Sequence, residues 1–226
     1  MRRPSISRGI LTVLRNRYEL LEGVYKLGLW KEHVENQSGD VAILDFDYAH
    51  RSVLYEYVNR NVIGDVPIDF LEFGVFKGES ISSWASISRH PESRFFGFDT
   101  FEGLPEDFLS RERKGAFDVG GEIPAIDDPR VRLVKGLFQD TLPDFICGFK
   151  PENRIVVHLD ADLYSSTLFV LIHLNKILSP GSILIFDEFE ILGEFSAFYD
   201  FTRSCYRDWR IVCSRSNRDK LAIQIC

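Results

Sequence analysis

The sequence predicts an α/β domain built on a doubly wound, mostly parallel sheet, with a helical appendage ahead of it. Three observations carry this reading. From Pro67 onward, short apolar runs alternate with runs of helical spacing, the signature of strand–helix–strand units. The runs "RIVVHL" and "SILIF" are apolar throughout, as strands covered on both faces must be. A glycine-bearing turn, "FLEFGVFKGES", joins the first such run to a helix.

The elements follow in order. Residues 8–30 are expected to be helical, because Leu14, Tyr18, Leu21 and Tyr25 recur on one face. A second helix is expected over about 47–62, ended by the Gly64-Asp-Val-Pro67 turn. Residues 1–66 thus form the appendage, read as a lid or dimer contact, and 67–226 form the sheet domain. Strands are expected at 68–73, 94–98, 131–135, 154–160, 182–187, 210–214 and 222–226. Helices are expected at 79–88 and, roughly, 165–178 and 194–206. Residues 101–130, rich in Gly, Pro and charge, break the alternation. They read as a lid or substrate loop, or as a solvated excursion with a short helix.

Net charge is −7, which argues against nucleic acid as the main partner. The charge is uneven. Residues 1–31 hold seven Lys/Arg against two Asp/Glu, a balance of +5 that leaves −12 on the rest. No apolar run is long enough to span a bilayer, and Arg15 and Arg17 interrupt any signal-peptide core. Cys147, Cys205, Cys213 and Cys226 form no CxxC and no zinc-finger spacing, so reduced thiols in a cytoplasmic protein are expected.

The chemistry gathers at three places. Glu72-x-Gly74-x-x-x-Gly78 lies between a strand and a helix, with Ser80 able to support the turn. A dinucleotide fingerprint would carry glycine where Glu72 stands, with closer spacing. A carboxylate there suits a ligand with an ammonium or sulfonium charge. Asp99 ends the second strand, where an acid can accept the hydroxyls of a ribose. Together these suggest a nucleoside without a pyrophosphate, and S-adenosylmethionine fits. Asp160, Asp187 and Glu188 end two strands that would be neighbours. Converging carboxylates of this kind share protons or a hard cation such as Mg2+. The competing reading is that these acids cap the helices that follow, which suits Asp162 best. His158, on the same strand, is read as a packed, hydrogen-bonded histidine.

Five ordered motifs, "FLEFGVFKGES", "FGFDTFEGLPEDF", "VKGLFQDTLPD", "HLDADLYSSTLFVL" and "PGSILIFDEFE", resemble the macrocin O-methyltransferase family of TylF/MycF type over about residues 67–205. The resemblance implies a class I methyltransferase (Rossmann-like) fold with a seven-stranded sheet, and S-adenosylmethionine as donor. It also implies Mg2+-dependent methylation of a sugar hydroxyl on a natural product. Carried over by motif, Glu72, Gly74, Phe76, Gly78 and Ser80 would line the methionine side, and Asp99 the ribose. Gly136 and Phe138 would lie near the adenine. Asp160, Asp187 and Glu188 would be the catalytic metal ligands, although this chain has Asp187-Glu188 where metal-using members carry two aspartates. The partner implied is a small-molecule or glycan acceptor, and the class allows a homodimer. Two other readings remain: a nicotinamide-dependent oxidoreductase, and a catalytically silent donor-binding scaffold.

Overall fold

The computed structural model describes residues 21–35, 41–45, 52–108, 112–189, 193–216 and 218–226. The chain divides into two units, Met1–Ser38 and Gly39–Cys226. In the first, α1 (21–30) runs on into a π-helical turn at Lys31–Glu35. The rest of the helix expected at 8–30 lies outside the described residues, as do residues 47–51 of the second expected helix.

The second unit begins with β1 (Ala42–Leu44) and α2 (Val53–Val58), the latter passing into a π-helical turn at Asn59–Ile63. There follow β2 (Ile68–Phe73), α3 (Glu79–Ile87), β3 (Arg94–Asp99) and β4 (Val131–Lys135). Next come α4 (Phe138–Gly148), β5 (Arg154–Leu159), α5 (Tyr164–Leu174) and β6 (Ile183–Phe186). The chain closes with α6 (Glu194–Ser204), β7 (Trp209–Arg215) and β8 (Leu221–Ile225).

The strands form one sheet in the order β1-β7-β8-β6-β5-β2-β3-β4. Only β8 runs antiparallel to its neighbours β6 and β7. The sheet has eight strands rather than the expected seven: β1, three residues long, adds to the edge parallel to β7, with Ala42 opposite Cys213. Strand order reverses between β2 and β5, so a cleft is expected outside their carboxyl ends.

Every residue of β2 is buried, which explains its continuous apolar text. On one face Phe73 stacks on Phe98 at 4.9 Å, and Phe145 of α4 meets Phe98 edge-on at 4.9 Å. On the other, Phe70 touches Trp84 at 5.2 Å and Phe95 at 5.7 Å. Burying each such ring stabilises the fold by about 1.5–3 kcal/mol. Two carboxylates interrupt β2, Asp69 and Glu72. Asp69, at the amino end, accepts two hydrogen bonds from Arg94 (2.8 and 2.7 Å) and one each from the Glu152 and Asn153 amides (2.9 and 3.1 Å). Burial alone would raise its pKa, but Arg94 and those amides outweigh it and hold the carboxyl below its usual range. Glu72, at the carboxyl end, belongs to the site.

α4 was not foreseen, because Gly136 and the interior Pro143 mask its helical pattern. The excursion at 101–130 holds no helix among its described residues. It is pinned instead by isolated antiparallel bridges, Glu102 with Asp118 and Phe108 with Glu112.

Candidate active site

The rim of the cleft is set by the main chain. Past β2, β4, β5 and β6, the first residue donates its amide to the adjoining strand's end. Gly74 bonds to the Phe98 carbonyl (3.0 Å), Asp160 to Phe73 (2.9 Å), Asp187 to Leu159 (2.9 Å) and Gly136 to Asp99 (2.9 Å). Strand spacing therefore places Gly136, Asp99, Gly74, Asp160 and Asp187 in one row, roughly 5 Å apart.

The glycine turn is held from below. Asp99 Oδ2 accepts the amides of Val75 and Phe76, both at 2.8 Å, and Oδ1 accepts that of Phe101 at 2.7 Å. A carboxylate offers about four acceptor sites, so one remains for a ligand hydroxyl. Gly74 has φ +97°, and a β-carbon there would lie 2.7 Å from the Asp160 carbonyl carbon and closer still to its oxygen. The close approach required of this glycine is thus to the neighbouring strand end. Gly78 opens α3 in the left-handed region, φ +79°.

Beneath the rim, Glu72 and His158 face each other across β2 and β5, both fully buried. His158 Nδ1 lies 2.9 Å from Glu72 Oε1, which also accepts the Ser80 hydroxyl. Glu72 Oε2 is buried with no hydrogen-bond partner. His158 Nε2 lies 3.3 Å from the Tyr55 hydroxyl and 3.5 Å from Asp187 Oδ1. Lys220, only 2% exposed, makes an ion pair with Asp187 Oδ1 and donates to the Tyr55 hydroxyl at 3.1 Å. The expectation that His158 is a packed, bonded histidine matches its surroundings. Tyr55 and Lys220 had no signal in the sequence.

Burial pushes the Asp160 carboxyl up to about 6; Asp162 and Glu72 add to this, while His158 and Lys220 oppose it. Glu194, at the start of α6, is pushed well above the carboxylate range by burial, then by Asp160 and Asp162, with the Ala161 amide opposing.

A cavity of about 290 Å³ opens along this rim. Of the residues singled out by sequence, Gly74, Phe76, Asp99, Phe138, Asp160, Asp187 and Glu188 line it. Glu72, Gly78, Ser80 and Gly136 do not; they support the turn and rim from behind. The 101–130 excursion adds Gly103, Leu104, Pro105 and Phe117 to the wall. Atoms of metal-ligand type from His158, Asp160 and Asp187 lie within 4.8 Å of one another. Glu188, expected as a third ligand, is not in that group, and Asp187 already carries the Lys220 ammonium.

Residues 122–208 match the family model described as Macrocin-O-methyltransferase (TylF). The chain is similar to 8-demethyl-8-(2,3-dimethoxy-alpha-L-rhamnosyl)-tetracenomycin-C 4'-O-methyltransferase of Streptomyces olivaceus, at 33% identity over 65% of this chain and 62% of that one. It is also similar to demethyldecarbamoylnovobiocin O-methyltransferase of Streptomyces niveus, at 30% identity over 58% and 56%. Mycinamicin III 3''-O-methyltransferase of Micromonospora griseorubida follows at 27% identity, over 55% and 56%. The chain therefore spans less than two thirds of the length of these curated relatives. Among solved structures, CalS11, a calicheamicin methyltransferase, aligns with TM-score 0.57 at 22% identity, covering 78% of this chain and 77% of that one. The O-methyltransferase NovP aligns with TM-score 0.53 at 20% identity, covering 78% and 77%. The chain has the fold of the class I O-methyltransferases.

Proposed function

We propose that this protein is an S-adenosylmethionine-dependent O-methyltransferase whose acceptor is a hydroxyl of a sugar or glycosylated natural product. The observation that carries the reading is the single rim on which the glycine turn, Asp99, Asp160 and Asp187 stand together at the point where strand order reverses. The match to the macrocin O-methyltransferase model and the likeness to three natural-product O-methyltransferases support it.

The residues fit the donor in two respects. Asp99 retains one acceptor site for a ribose hydroxyl, and the wall beside it is apolar at Leu137 and Phe138, where an adenine would lie. When bound, the donor supplies a methyl carbon whose bond to a sulfonium sulfur breaks, the electron pair staying on sulfur, as the acceptor oxygen bonds to that carbon. The protein has to align the partners, exclude water and receive a proton. The glycine turn and Asp99 hold the donor side. Leu104, Pro105 and Phe117 from the 101–130 excursion form the acceptor wall and shed water. Asp160, on the rim, receives the acceptor's proton. A divalent ion at Asp160, Asp187 and Glu188, expected from the sequence, does not fit: Lys220 occupies Asp187 Oδ1, the oxygen that faces His158, and Glu188 is outside the cluster.

No helix among the described residues is long and apolar enough to cross a membrane, and all four cysteines are free. We place the protein in the cytoplasm on the thiols. Titration calorimetry with S-adenosylhomocysteine and with NAD tests the proposal. Binding of the first and not the second is expected; no binding of S-adenosylhomocysteine would overturn it.

A further inference from the structure

We propose that the Lys220 ammonium is the resident cation of this cleft, and that His158, Asp160 and Asp187 take up no divalent metal. The side chain is buried, and its nitrogen pairs with Asp187 Oδ1, the same oxygen that faces His158 Nε2 at 3.5 Å. A metal bound by Asp187 and His158 would stand against this ammonium beside two buried side chains, where like charges are poorly screened.

Lys220 is also held in place. Its carbonyl accepts the Arg215 amide at the turn into β8, its nitrogen donates to the Tyr55 hydroxyl at 3.1 Å, and it lies 5.0 Å from the centre of the Tyr55 ring. The sheet fixes the pairing: Phe186 of β6 stands opposite Leu221 of β8, so the next residue on each strand, Asp187 and Lys220, must meet. The donor set points the same way. His158 Nε2, the ring nitrogen on the cluster side, already faces the Tyr55 hydroxyl at 3.3 Å, and one imidazole with two carboxylates falls short of the all-oxygen shell that Mg2+ prefers. Lys220 is therefore a positioning residue. It holds the Asp187 carboxylate in place at the cleft, a positioning task a metal would otherwise perform. This concerns the same cleft as the proposed function, but its test does not depend on turnover.

The experiment is a Mn2+ titration of the full chain followed by electron paramagnetic resonance of the free ion. Wild type should leave the free-ion signal unchanged. Lys220→Met, which keeps the length and removes the charge, should bind Mn2+ at least about tenfold more tightly than wild type. Lys220→Arg should restore exclusion. Stoichiometric Mn2+ binding by wild type overturns the proposal, as does a folded Lys220→Met protein that binds no better than wild type. If Lys220→Met does not fold, the wild-type titration decides alone. Calorimetry with S-adenosylhomocysteine on the same samples separates failure of this proposal from failure of the donor reading.

Discussion

Gly74 and the carbonyl of Asp160 lie so close that no side chain fits between them. The two residues end adjacent strands, and the Asp160 amide bonds to Phe73 just before the glycine. Gly74→Ala must push β2 and β5 apart or break that bond. Its φ of +97° adds strain for any L residue. A loss on the order of 3–5 kcal/mol is expected in urea unfolding. A fully stable variant would show that the rim is not rigid.

Asp99 holds three main-chain amides and has one acceptor site left. Asp99→Ala frees the Val75 and Phe76 amides and removes the ligand site together. S-adenosylhomocysteine affinity should fall at least about tenfold, and stability by roughly 2–4 kcal/mol. Unchanged affinity by calorimetry would rule out the ribose role.

Asp160 titrates near 6 in the folded protein, against an ordinary value of 3.8. Folding thus favours its protonated form. That stability is complete below about pH 4 and is lost as pH rises through 6. Asp160→Asn should unfold at higher denaturant than wild type at pH 7.5, by at most about 3 kcal/mol, since the carboxyl opens partly onto the cleft. The gap should close below pH 4, while turnover falls at least about a hundredfold. Glu194→Gln should show the same direction in stability.

Asp69 behaves oppositely. Its carboxyl is held below its usual range, so its contribution is present above about pH 4 and fades as pH falls further. Asp69→Ala leaves Arg94 without its main partner and two amides unsatisfied. Arg94 keeps some access to water, so the expected cost is about 3 kcal/mol rather than the extreme for a buried pair. Thermal unfolding at pH 7 checks it.

The strands of the parallel core were legible because burial on both faces writes an unbroken apolar run, as in β2 and β5. Two elements were not. β1 is three residues on an edge, too short for periodicity, and α4 carries Pro143 inside it. At the site, acids at strand ends were readable as a row because topology lines up the ends of parallel strands. Lys220 was not, since only the antiparallel pairing of β6 with β8 brings it to Asp187 across a gap of more than thirty residues. Tyr55 reached the same cluster from α2, on a helix whose contacts no local pattern reveals.

The amide-to-carbonyl rungs that fix the strand ends have an evolutionary consequence. Because the main chain sets where Asp160 stands, its side chain can be exchanged without loosening the rungs, whereas Asp99, which also ties down the turn, cannot. New reactivity can thus be sampled one side chain at a time. The connection at 101–130 enjoys no such independence, for Gly103 packs against the main chain of Gly115 and Ala116 within the same excursion. A change in that wall must therefore be made by replacing the segment as a block.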